Sequence, residues 1–169
     1  CALRISDGCI DMATGENQFR CAVIDTNNQV AYFGTATAPA KVCKINIASG
    51  SFAKHSDGCI DMASGENLFY TAVIDTNNQL AYFGTDTSAA KVCKINIASG
   101  SFSKHSDGCI DMASGENYFL SAVIDTANQI AYFGTWTSPA KVCKINIASG
   151  SFAKHSDGCV TMATGENEF

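Results

Sequence analysis

Nine cysteines and three histidines recur at fixed intervals, and their spacing is where chemistry first suggests itself. Cys43, Cys93 and Cys143 share one phase of a 50-residue interval, and Cys9, Cys59, Cys109 and Cys159 share another. Cys1 and Cys21 fall outside both phases, with Ser or Thr at the equivalent later positions. Thiols at this density in a short chain point to an oxidising compartment and to disulfides. Two pairings suit the phases. One bond per repeat, Cys43–Cys59, Cys93–Cys109 and Cys143–Cys159, closes loops of about 16 residues and contributes on the order of 3 kcal/mol each by chain entropy. The rival pairing joins Cys59 to Cys93 and ties one repeat to the next. Either scheme leaves an odd cysteine for another chain or segment.

Other reactive groups share these phases. His55, His105 and His155 each stand four residues before a cysteine, so Cys-x11-His-x3-Cys offers three zinc ligands. Ile5 replaces the first histidine and the disulfides consume both sulfurs, so the expectation is no metal and a solvated histidine. Lys104-His-Ser-Asp107 gathers the residue types of a hydrolase triad, but neighbours on a strand point to opposite faces and cannot relay a proton. No enzyme activity and no cofactor are expected. Asp57, Asp61, Glu66 and Asn67, and again Asp75, Asn77 and Asn78, are oxygen-rich without the spacing of a calcium loop; turn chemistry accounts for them. No Asn-x-Ser/Thr sequon occurs, whereas Thr35, Thr37, Thr85, Thr87, Thr135 and Thr137 are candidate O-glycan sites.

The elements that must position these groups are set by the repeat. Residues 51–100 and 101–150 differ at eight positions and share 42, without insertion or deletion. The expected division is a partial repeat at 1–18, then repeats at 19–68, 69–118 and 119–169. Self-similarity at this period indicates a propeller, solenoid or filament-forming array. Residues 72–85 read as a β-hairpin whose strands meet at Thr76-Asn77-Asn78, and each copy offers four strands with no helical periodicity. In the middle copy these are expected at 68–75, 79–85, 91–98 and 102–112, with a break at Asp107-Gly108. The first two strands are apolar on both faces. The third places Cys93, Ile95 and Ile97 on one face and Lys94 and Asn96 on the other; the fourth is largely polar. Double-sided burial followed by a polar outer strand fits an all-β fold of four-stranded antiparallel, propeller-like blades, as an open array or part of a larger ring.

Glu66-Asn67, Ser121-Ala-Val-Ile-Asp125, Ala131-Tyr-Phe-Gly-Thr135, Thr137-Ser-Pro139 and Val142-Cys-Lys-Ile-Asn-Ile147 resemble propeller-type repeats of large secreted protist proteins, particularly those of stramenopiles. The resemblance spans all three copies. It departs in Lys104-His-Ser-Asp-Gly-Cys-Ile-Asp111, which is more polar and adds the cysteine. It implies an extracellular structural or adhesive role, in a flagellar hair (mastigoneme) or similar fibre.

A net charge of −5 argues against nucleic acid as a partner. No apolar run approaches the roughly 20 residues that cross a bilayer as a helix. The copies disagree chiefly at Gln18, Leu68, Tyr118 and Glu168, at Arg20, Tyr70 and Leu120, and at Ala36, Asp86 and Trp136. Trp136, Tyr70 and Tyr118 are the expected partner contacts. Residues 1–18 match 151–168 in phase, so the array is expected to be a window on a longer one or a subunit completed by its neighbours, with open strand edges at both ends as growth points. The expected function is a disulfide-reinforced building block of an extracellular filament that self-associates; a soluble propeller-like module binding glycan or protein is the alternative.

Overall fold

The computed structural model describes residues 8–167; Cys1 and Glu168 lie outside them. It contains twelve strands and, among the described residues, no helix. The first sheet comprises β1 (Phe19–Asp25), β2 (Val30–Thr35), β3 (Lys41–Asn46) and β4 (Ala53–Asp61). The second comprises β5 (Phe69–Asp75), β6 (Leu80–Thr85), β7 (Lys91–Asn96) and β8 (Ser103–Asp111). The third comprises β9 (Phe119–Asp125), β10 (Ile130–Thr135), β11 (Lys141–Asn146) and β12 (Ala153–Thr161). Each sheet is an antiparallel meander in chain order. The innermost strands β1, β5 and β9 run beside one another, so the sheets are blades stacked face to face in an open arc.

The hairpin at 72–85 forms, but the reversal between its strands is completed one residue beyond Thr76-Asn77-Asn78. Asp75 Oδ1 accepts from the Asn78 amide at 3.1 Å and Oδ2 from Asn78 Nδ2 at 2.7 Å. These bonds hold the middle of the turn right-handed, and the reversal falls on Gln79, at φ 54°. The second strand therefore starts at Leu80 rather than at 79. Leu68 is likewise αL, at φ 56°, and the first strand starts at Phe69.

The break expected at Asp107-Gly108 is instead a wide bulge inside one continuous strand. Cys93 pairs with Cys109 and Ile95 with Lys104, so His105-Ser-Asp-Gly108 stands opposite Lys94 alone. Gly108, at φ 69°, supplies the reversal that returns the strand to register. The outer strand is polar because the bulge carries a carboxylate back over the third strand.

Two apolar clusters form the core, and both lie between blades. In the first, Val30, Tyr32, Val42 and Met62 of blade one meet Phe69, Phe83, Cys93, Ile95 and Ile97 of blade two. In the second, Val73, Tyr82, Val92 and Met112 of blade two meet Phe119, Phe133, Cys143, Ile145 and Ile147 of blade three. A single blade is too thin to bury its own faces, so the stability of each sheet derives from the next.

Candidate functional site

The repeated junction between blades is the site. Every blade has a front face, built from Val73, Tyr82, Val92 and Lys94 in the middle copy, and a back face, built from Phe69, Ile74, Phe83, Ile95 and Phe102. The front of one packs on the back of the next. Tyr32 Oη donates to Ile97 O at 3.3 Å and Tyr82 Oη to Ile147 O at 3.4 Å. Burial, with Asp25 and Asp57 nearby, pushes the Tyr32 hydroxyl up to about 12, so it remains a donor. Burial acts in the same direction on Tyr82.

Lysine at the front face is the group whose role sequence reading missed. The third strand alternates as expected, but Lys94 is 2% exposed. Its ammonium donates to Asp107 Oδ2 at 2.7 Å and lies 5.5 Å from the centroid of the Phe152 ring of the next blade. Lys44 repeats this with Asp57 and Phe102. Hydrogen bonds from the lysines hold Asp57 and Asp107 below the usual carboxylate range. The bulge is thus the counter-ion carrier for a lysine covered by the following blade, and the polarity of His105-Ser-Asp-Gly108 was its only trace in the sequence.

All three disulfides of the one-per-repeat pairing form: Cys43–Cys59, Cys93–Cys109 and Cys143–Cys159. The rival bond from Cys59 to Cys93 is thereby excluded. Cys9 is exposed and free; Cys21 is free and half-buried, and burial pushes its thiol up to about 12. Each disulfide lies within 4.8 Å of a carboxylate from the preceding loop: Glu16, Glu66 or Glu116. These carboxylates are already committed. One oxygen of each accepts from Lys54, Lys104 or Lys154, and the other from the Ala13, Ala63 or Ala113 amide. Metal coordination by the cysteines requires thiolates, which the disulfides remove. Glu66 is instead an inter-blade lock, joining the loop after β4 to strand β8.

The remaining candidates disperse. His55 Nδ1 accepts from the Asp57 amide at 3.1 Å, so the histidine is a half-buried brace for the bulge rather than a solvated residue. Lys104, His105, Ser106 and Asp107 make no relay, since Lys104 goes to Glu66 and Asp107 to Lys94. Asp61 pairs with Lys41. Thr35, Thr85 and Thr135 are fully buried, and their hydroxyls accept from the amides of Lys41, Lys91 and Lys141, leaving no space for a sugar. Thr37, Thr87 and Thr137 are partly exposed and donate to the carbonyls of Pro39, Ala89 and Pro139.

The variable positions gather at one edge of each blade. The Ala36 amide donates to Gln18 O, Asp86 to Leu68 O, and Trp136 to Tyr118 O. Trp136 is 49% exposed and stands edge-on to Tyr118 at 6.3 Å. Tyr70 lies instead beneath the Arg20 guanidinium of the preceding blade, 5.7 Å away. Asp86 Oδ1 and Asn117 Oδ1 are buried without a donor, and burial raises the Asp86 carboxyl.

At the two ends of the arc the junction is half made. Val73 is 7% exposed, whereas its equivalent Val123, on the front of blade three, is 65% exposed. The Lys144 side chain is 27% exposed against 2% for Lys94. On the back of blade one Ile24 is 51% exposed, and Phe19 and Phe33 border a shallow apolar depression. The matching depression on blade three is lined by Ala122, Val123, Tyr132, Gly134 and Val142.

No protein-family description matches the chain, and no curated protein does. The chain is similar in structure to a solved chain of Kuenenia stuttgartiensis Hydrazine Synthase, with a TM-score of 0.64 and 14% identity. The likeness covers 86% of this chain and 37% of that one. At that identity the similarity is one of fold.

Proposed function

We propose that the chain is a non-catalytic structural building block of an extracellular filament or appendage, of the mastigoneme kind that its repeats resemble. The supporting observation is the junction. One set of contacts recurs between blades one and two and between blades two and three, and each end of the arc presents half of that set. A part designed to be repeated needs a front that fits its own back, and a disulfide in every blade suits an oxidising exterior. Electron microscopy and sedimentation of the native material under oxidising conditions test the reading. Fibres are the expected result, and a compact monomer that persists at high concentration would count decisively against it.

The second reading, a soluble binding module, draws on a polar hollow at the junction between blades two and three. Asn78, Lys94, His105, Asp107 and Gln129 line it, and a smaller counterpart beside Lys44 and His55 lies between blades one and two. Saturable binding on a glycan array, abolished by substitutions at Asn78 and Gln129, would favour this reading over the first.

A further inference from the structure

We infer that the two open faces are one interface divided between two molecules: the front of blade three in one copy docks on the back of blade one in a second copy, head to tail. This rests on the structural reading above and specifies the contact by which it operates. The growth points expected from sequence were strand edges. In the structure the blades meet through their faces, while the outer edges carry the bulge and its ion pairs.

Three observations favour a second copy as the occupant. First, the uncovered side chains are the equivalents of those buried or partly buried at the junctions inside the arc. Val123 and Val160 on the front correspond to Val73 and Ile110, and Ile24 and Phe52 on the back correspond to Ile74 and Phe102. Second, the polar groups also match. Tyr132 is placed as Tyr32 and Tyr82 are, each of which donates to a carbonyl of the next blade; Ile47 of a second copy offers that carbonyl. Lys144 has its carboxylate, Asp157, but no aromatic ring beyond it, and Phe52 stands at the position of Phe102 and Phe152.

The third observation concerns the segments at the ends. Residues 12–17 and 162–167 have the same sequence, Met-Ala-Thr-Gly-Glu-Asn. Between blades one and two, a single segment performs two tasks. The Met62 amide donates to Ala40 O on one side, and Glu66 accepts from Lys104 on the other. At the ends these tasks are separated. Met162 bonds Ala140 at the front of blade three, and Glu16 bonds Lys54 at the back of blade one. Docking leaves one of the two segments redundant, and whichever stays makes both sets of bonds. The bonds that tie the segment to the two blades are conserved, the displaced segment's own turn bonds pass to water, and the buried apolar area is the net gain. The contact is heterologous, so it propagates as an open chain, or as a ring if the rotation closes.

The test uses Val123→Arg and Ile24→Arg in the chain of residues 1–169, both at exposed positions that the fold does not need. Sedimentation velocity in oxidising buffer should show the wild type associating as concentration rises. Each variant alone should lose at least about tenfold in association, roughly 1.4 kcal/mol. An equimolar mixture should form a one-to-one pair and nothing larger, because each variant keeps the face that the other lacks. The docking is overturned if either variant associates like the wild type, if the mixture stays monomeric while the wild type assembles, or if the wild type is monomeric throughout. Fibres unaffected by both variants would overturn the docking and leave the filament reading standing. A closed two-copy ring sensitive to both would uphold the docking and overturn the filament.

Discussion

Gly84→Ala probes the junction by adding a single methyl group at its tightest point. A Cβ at Gly84 would lie 2.7 Å from Thr71 Cγ2 and 3.0 Å from Phe133 Cδ1 and Cε1, the latter on the next blade. Neither neighbour has room to withdraw. Phe133 is fully buried, and its ring is 5.2 Å from that of Phe119. Carbon contacts are comfortable at about 3.5–4.0 Å, so the two blades must part by several tenths of an ångström or the rings must leave their rotamers. Overpacking of this kind costs about 1–3 kcal/mol. At about 2–4 °C per kcal/mol for a chain of this size, the midpoint of thermal unfolding should fall by about 2–12 °C. The mechanism is checked by a cycle with Phe133→Leu and with Thr71→Ser, the residue that repeat three carries at position 121. Each second substitution should recover at least about 0.5 kcal/mol of the Gly84→Ala loss. Costs that add to within about 0.3 kcal/mol in both cycles, or a Gly84→Ala variant as stable as the wild type, would refute the account of Gly84 as a cradle for the next blade's ring.

Further expectations follow from the same geometry. Replacing Cys93 and Cys109 together by Ser should cost about 3 kcal/mol in urea unfolding, from the loop of sequence separation 16; an unchanged midpoint would show that the bond contributes nothing. Acid should act through the glutamate–lysine ties at the backs of the blades, of which Glu66–Lys104 and Glu116–Lys154 join two blades. The hydrogen bond from Lys54 holds Glu16 below its ordinary value of 4.5. At Glu116 burial pushes upward, but the bonds from Lys154 and the Ala113 amide bring it below 4.5 as well. Their contribution is therefore complete above about pH 4.5 and is lost as pH falls through the lowered values. Glu116→Gln should flatten the acid limb of a stability–pH curve, and an identical slope would contradict the assignment. Asp86 has the opposite sign: burial raises its carboxyl, so stability falls as pH rises through its ordinary value of 3.8 to the raised one. Asp86→Ala, which restores the residue of position 36, should stabilise the chain at pH 7 in thermal unfolding; destabilisation there would reverse the reading.

Much of the architecture was legible because period-two patterning and turn chemistry are local. The hairpin, the four strands per copy and the cysteine phases are stated by residues close in sequence. The function of Lys94 was not, because its burial depends on Phe152 in another blade, 58 positions away, and on a bulge that no periodicity reveals. A strand with Lys and Asn on one face reads as half-exposed when considered alone. Glu66 was similarly opaque: it lies in a turn-like stretch, and only the stacking of blades places Lys104 and the Cys93–Cys109 bond beside it.

The positions at which the copies disagree and those at which they agree have a common cause. Leu68 and Tyr118 adopt αL conformations that a side chain normally avoids, and each is held there by two backbone bonds. The Leu68 amide donates to Thr37 O and its carbonyl accepts from Asp86; Tyr118 does the same with Thr87 and Trp136. Since the main chain makes these links, the side chains at 18, 68 and 118 and at 36, 86 and 136 are released from the task of joining blades. They can vary as Gln with Ala, Leu with Asp and Tyr with Trp without changing the junction. Val73, Tyr82, Lys94 and Phe133 have no such freedom, because their side chains are the junction. The variable edge is therefore where successive blades can differ in what they present outward, and the constant faces are what allow them to stack in one register.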